Sequence, residues 1–238
     1  MKPLLVAYLI LLHLALATLL WKPSLPSRIR QRLGFETRPE LGDYYRQTVR
    51  HHSRTVATVP DGAVIFIGDS LTQGLAVAAV APAGVNYGIG GDTTAGVLER
   101  LPVYRPALAR ARCIVVAIGF NDTRYRSPDE ALGNYARILD ALPADRPVIV
   151  SAILPIDEQA RAALAGRGAW IQQFNAGLVR LAGSREGVSL VDAGDALDGD
   201  GDGRLDRPLH DGDGVHLNSA GYLAWSARLA DAVAGHAR

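Results

Sequence analysis

Five short apolar runs, separated by segments of helical periodicity, restrict what this 238-residue chain can fold into more than any other feature. Residues 63–67, 85–87, 113–118, 148–153 and 188–191 read as strands. Residues 71–80, 93–104, 128–142, 158–182 and 219–234 carry helical patterns, and Asn218 or Ser219 can cap the last of them. Such alternation predicts crossover connections and a mostly parallel sheet with helices on both faces. Hydrophobic residues make up 48% of the chain, enough for one domain with a sizeable core, and no internal repeat is visible.

The loops after these strands hold the chemistry. Gly68-Asp69-Ser70-Leu71 follows the Ile65-Phe66-Ile67 strand, and a glycine there permits a tight turn that exposes Ser70 at the mouth of a helix. Far downstream, Asp213-Gly214-Val215-His216 sets a carboxylate three residues before an imidazole. A serine hydroxyl is a weak nucleophile until a base takes its proton, and a carboxylate can orient that base. Ser70, His216 and Asp213 are therefore the expected nucleophile, general base and orienting group. Asp211 also precedes His216, but at five residues and across two glycines it is expected to be a loop residue.

Two further segments lie between these ends. Asn86-Tyr87-Gly88-Ile89-Gly90-Gly91-Asp92-Thr93-Thr94 is a glycine-rich turn leading into a helix, and Gly119-Phe120-Asn121-Asp122 closes the third strand. With all four blocks in order, the chain resembles the GDSL, or SGNH, hydrolase family from about residue 63 to its end. The resemblance implies a three-layer α/β/α sandwich on a five-stranded, flavodoxin-like sheet, and a serine esterase that needs neither metal nor organic cofactor. It also implies an oxyanion hole formed by the N–H groups of Ser70 and Gly91 and the side chain of Asn121, with Gly90 the less favoured glycine. Substrates across the family include short-acyl esters, acetylated sugars, lysophospholipids and thioesters. The Gly90-Gly91-Asp92-Thr93-Thr94 segment and Leu98-Glu99-Arg100-Leu101 look more like its acetyl-ester branch. A silent glycan-binding module on the same fold is the competing reading, which intact Ser70, Asp213 and His216 oppose. Asp69 and Asp122 are expected to brace loop backbone instead of acting as acid or base.

The net charge of +1 argues against a nucleic-acid partner, and one cysteine, Cys113, excludes an intrachain disulfide. Its place at a strand start predicts a buried hydrophobe. His51 and His52 lack companions at metal-ligand spacing. Residues 198–206 imitate a calcium loop, but Leu209 stands where the bidentate Glu should be, so an acidic loop without metal is expected.

The expected organisation is an N-terminal apolar helix over residues 1–22, a linker or strap over 23–60 and the hydrolase domain over 61–238. Residues 4–21 contain no charge and number roughly enough to cross a bilayer at 1.5 Å per residue. An uncleaved membrane anchor is expected, with a signal cleaved after Ala15-Leu16-Ala17 as the second reading. Lys22, Arg28, Arg30 and Arg32 would keep the following chain cytoplasmic by charge counting. The tiny N-terminal tail and the ability of large domains to translocate favour an extracytoplasmic, periplasmic enzyme. Its substrate would then be an ester of an envelope glycan or lipid.

Overall fold

The computed structural model describes residues 2–21 and 41–236, in two units, Met1–Leu41 and Gly42–Arg238. The first contains helix α1 (Lys2–Trp21), whose Leu4, Leu5 and Leu11 side chains are exposed. Among the described residues no helix is long and apolar enough to cross a membrane, so the span expected over residues 4–21 rests on sequence alone. Of the linker or strap expected over residues 23–60, residues 23–40 lie outside the described residues.

The second unit opens with α2 (Asp43–Thr55). Its buried Tyr45 donates its hydroxyl to the Gly96 carbonyl at 2.7 Å. His52, also buried, lies 2.9 Å from the Tyr104 hydroxyl through Nδ1, whereas His51 faces solvent. Five strands follow: β1 (Val64–Gly68), β2 (Gly84–Gly88), β3 (Cys113–Ala117), β4 (Val148–Ser151) and β5 (Val188–Val191). All pairings are parallel, in the order β2-β1-β3-β4-β5. This is the doubly wound arrangement in which ligands bind beyond the strands' carboxyl ends, where the order reverses.

Strand residues alternate between two cores. Ile65, Ile67, Ile114 and Val116 pack in one cluster with Val97, Tyr135 and Phe174. These last three come from helices α4 (Thr94–Leu108), α5 (Pro128–Ala141) and α6 (Arg167–Gly183). Val64, Phe66, Cys113 and Val115 pack on the opposite face with Trp225 and Leu229 of α8 (Ser219–Gly235). The central strands are thus buried on both faces, as a parallel sheet requires. Cys113 is a core residue whose thiol is pushed up to about 11 by burial.

Two expected helices are corrected. The one predicted over residues 71–80 is the short α3 (Ser70–Gly74), because the Asn86 amide takes the carbonyls that would continue it. Asn86 Nδ2 lies 2.7 Å from the Thr72 oxygen and 3.1 Å from that of Leu75. The helix predicted from residue 158 starts only at Arg167, after Gly166 at φ +78°. The Glu158 carboxylate accepts the Gly168 N–H at 2.9 Å, so Glu158 serves the helix start from outside it. A short helix, α7 (Gly194–Leu197), lies in the loop after β5 and has no counterpart in the sequence pattern.

Candidate active site

Ser70 opens α3 immediately past the end of β1. Asp69 caps this turn, its carboxylate accepting the Leu71 N–H at 3.0 Å, which is the bracing role expected of it. Only glycine fits at Gly68: a Cβ there would stand 2.0 Å from Thr72 Oγ1 and 2.3 Å from the Ala117 carbonyl. The close approach lets the serine turn fold directly against β3. Burial pushes Asp69 up to about 7, despite the Leu71 N–H.

His216 comes to Ser70 from the loop before α8. Its Nε2 is 2.9 Å from Ser70 Oγ, and its Nδ1 is 2.7 Å from Asp213 Oδ2. The second Asp213 oxygen accepts the N–H groups of Val215 and His216, both at 2.8 Å. Burial works against the Asp213 charge, yet the N–H and imidazole of His216 and the Val215 N–H outweigh it, holding the carboxyl at about 2. Asp211 is exposed, and among the described residues its carboxylate accepts only the Asp213 N–H, at 3.3 Å.

The loop itself is pinned by His210, which the sequence reading passed over. This buried imidazole accepts the N–H groups of Gly212 and Gly214 through Nδ1, at 3.0 and 3.2 Å. A histidine amid glycines and aspartates carries no local signal of such a role, since its partners are backbone groups.

The other two expected residues reach the same end of the sheet. Asn121 is buried in a 3₁₀ turn (Phe120–Arg124), and its Nδ2 donates to the Asp92 carbonyl at 3.0 Å. The neighbouring glycines differ. The Gly90 N–H donates to Gln73 Oε1 at 2.8 Å, whereas no acceptor takes the Gly91 N–H among the described residues. Gly91, at φ +78°, therefore offers a free donor among the described residues, and Gly90 does not. The Ser70 N–H heads its helix, where first-turn donors have no intrahelical acceptor.

A polar framework holds these loops from behind. Asp122 accepts the Thr94 N–H at 2.8 Å, the Thr94 hydroxyl at 2.6 Å and Arg126 Nη1 at 2.9 Å, tying the Asn121 turn to the glycine turn. Beneath them Arg100 donates to Asp92 (2.7 Å), the carbonyls of Tyr87 (2.7 Å) and Gly68 (3.0 Å), and the Tyr104 hydroxyl (2.8 Å). Within the sequence Arg100 reads as an ordinary polar residue of a helix, so nothing local marks it as buried.

In the acidic loop, oxygens of Asp198, Asp200 and Asp206 lie within 4.8 Å of one another. Asp198 accepts the N–H groups of Asp202 and Gly203, at 3.0 and 2.8 Å, and Asp206 that of Gly199 at 2.9 Å.

The model of the GDSL-like lipase/acylhydrolase family matches residues 66–224, spanning all four blocks. Among solved structures, a Streptococcus pneumonia protein provisionally named a platelet activating factor is 27% identical, with a TM-score of 0.73 over 80% of this chain and 92% of its own. A GDSL-like lipase from Bacteroides thetaiotaomicron shares 21% identity and a TM-score of 0.66, covering 79% of this chain and 97% of that one. A lipase/acylhydrolase from Enterococcus faecalis gives 19% and 0.63, covering 73% and 96%. No curated protein matches the chain.

Proposed function

The chain belongs to the GDSL-like lipase/acylhydrolase family and is a serine carboxylic ester hydrolase; from that premise we propose that Ser70 is its nucleophile, acting with His216 and Asp213 on short-acyl esters. The observation that carries this reading is the unbroken chain from Ser70 Oγ to His216 Nε2 (2.9 Å) and from His216 Nδ1 to Asp213 (2.7 Å).

His216 Nε2 takes the Ser70 proton as Oγ attacks the ester carbonyl. Asp213 keeps the proton of neutral His216 on Nδ1, so that Nε2 is free to accept, and it stabilises the imidazolium that forms. Negative charge develops on the former carbonyl oxygen, which the Ser70 and Gly91 N–H groups and the Asn121 amide receive. The tetrahedral adduct collapses, His216 returns the proton to the leaving alcohol oxygen, and an acyl-Ser70 ester remains. Water activated by the same imidazole then releases the acid.

A short-acyl preference is supported by the Gly90-Gly91-Asp92-Thr93-Thr94 segment and by Leu98-Glu99-Arg100-Leu101, which resemble the acetyl-ester branch of the family. The uncharged residues 4–21 support a membrane-anchored enzyme at the cell envelope, with a cleaved, secreted form as the alternative; its substrate there would be an acylated glycan or lipid. A 4-nitrophenyl ester series from acetyl to palmitoyl tests the acyl preference. Rates should fall beyond butyrate, and a palmitate optimum would instead assign a lysophospholipase or thioesterase type of activity. Carbonate extraction of membranes containing the full-length protein tests the anchor, and recovery of a soluble chain beginning near Thr18 would overturn it.

A further inference from the structure

Gln73 stands on α3 three residues past Ser70, with its own N–H on the Asp69 carbonyl at 2.8 Å. Its exposed side chain reaches two other segments at once. Oε1 accepts the Gly90 N–H at 2.8 Å, and Nε2 donates to the hydroxyl of Tyr44 on α2. The amide lies this way round because the Gly90 N–H demands an oxygen, which leaves the amide nitrogen for the phenol. A Cβ on Gly90 would stand 2.9 Å from Gln73 Oε1, 3.6 Å from Tyr44 Cε1 and 4.0 Å from Ser70 Cβ. Gln73 and Tyr44 therefore meet beside the nucleophile. The neighbour of Tyr44, the buried Tyr45, anchors this end of α2 through its bond to the Gly96 carbonyl.

The turn that Gln73 grips carries an expected oxyanion donor. The Asp92 N–H closes it on the Ile89 carbonyl at 3.1 Å, and Gly91 in its third position has φ +78°, the pattern of a type II turn. The Gly91 N–H belongs to the central peptide of this turn. A rotation of that peptide would aim the N–H at the opposite face, and the glycines on both sides carry no Cβ to oppose it. The ends of the turn are fixed: the Ile89 N–H on the Gly68 carbonyl at 3.0 Å, the Asp92 carbonyl on the Asn121 amide at 3.0 Å. Between those ends, among the described residues, the bond from Gly90 to Gln73 is the one that holds the two glycines.

We propose that Gln73, its amide oriented by Tyr44, is a positioning residue of the oxyanion hole, holding the glycine turn so that the Gly91 N–H faces the charge developing on the ester oxygen. The inference rests on the serine-esterase reading above. Tyr44 lies before residues 66–224, which the family model matches, so α2 adds to the site a part that the four blocks do not contain. Both side chains act through the turn, and the oxygen gains its full charge only in the transition state. Their effect therefore falls on kcat and leaves KM nearly unchanged.

The test uses the full chain and 4-nitrophenyl acetate. Gln73→Met keeps the length of the side chain and removes the acceptor. It should lower kcat by about tenfold, the size of one hydrogen bond, with KM changed less than about twofold. Butylboronic acid adds to Ser70 Oγ as a tetrahedral boronate with an oxygen in the hole, so its inhibition constant should rise by the factor by which kcat/KM falls. Tyr44→Phe should lower kcat about two- to threefold, the low end for one hydrogen bond, and should have no further effect once Gln73→Met is present. Both side chains are exposed, and Tyr44→Phe, which leaves the ring in place, carries the test by itself if Gln73→Met does not fold. An unchanged kcat in either variant, a loss carried by KM, or a boronate constant that does not follow kcat/KM would overturn the inference and leave the triad intact. Failure of the wild type to hydrolyse any ester, with no fluorophosphonate labelling of Ser70, would remove both.

Discussion

Arg100 and Asp92 form an ion pair of 2.7 Å in which neither side chain touches solvent. Asp92 follows Gly91, and its carbonyl receives the Asn121 amide, while Arg100 also holds the carbonyl ends of β1 and β2. The pair thus fixes the serine turn and the glycine turn against each other. Breaking such a pair strands a buried charge and costs about 3–5 kcal/mol. Arg100→Met should therefore lower Tm by roughly 10 °C. Adding Asp92→Asn should recover part of that loss, because the two groups act as one unit. Thermal melts of the four species check this, and simple additivity would contradict it.

Removing the nucleophile or base should stop turnover without unfolding the chain. Ser70→Ala and His216→Ala should each reduce kcat by several orders of magnitude, and the double variant should be no worse than either. Fluorophosphonate labelling should vanish in Ser70→Ala. Labelling that persisted there would place the nucleophile elsewhere.

The two aspartates before His216 should separate cleanly. Asp213→Asn should cost up to about 10⁴ in kcat by favouring the wrong imidazole tautomer. Asp211 binds only a loop N–H, so Asp211→Asn should stay within about tenfold of wild type, as for a residue without transition-state contact. A larger effect at Asp211 would refute the proposed triad.

Asn121→Ala should lower kcat by about 10²–10³ with a small effect on KM, as expected for one oxyanion donor. Part of any stability change reflects the lost bond to the Asp92 carbonyl, so the melting temperature must be measured beside the kinetics. An unchanged kcat would exclude Asn121 from the hole.

Acid should weaken the seat of α2. Burial lowers the His52 pKa to about 4, with the Arg100 and His51 charges adding to it. The unfolded chain, at about 6.5, therefore binds the proton first, and stability falls as pH drops from about 6.5 to about 4. The difference in Tm between wild type and His52→Gln should shrink across that window. A constant difference would show that His52 does not titrate this way.

The strands, their parallel pairing and the residues of the four blocks were legible in the chain because each is a local pattern. Apolar runs such as Ile65-Phe66-Ile67 declare a buried strand, and a glycine next to a serine declares a turn. What the pattern could not supply lies in contacts between distant segments. The Asn86 amide, reaching the carbonyls of Thr72 and Leu75, ends α3 where helical periodicity would continue it. Gln73 takes the Gly90 N–H, and among the described residues that of Gly91 is left free, a choice no glycine pair contains in itself. Arg100 becomes a fully buried charge only because Asp92, Tyr104 and two strand-end carbonyls converge on it. The sequence alone determined which chemical groups exist and which elements carry them. The tertiary structure decided which polar groups find partners, because an arginine or amide is buried only where distant segments complete its hydrogen bonds.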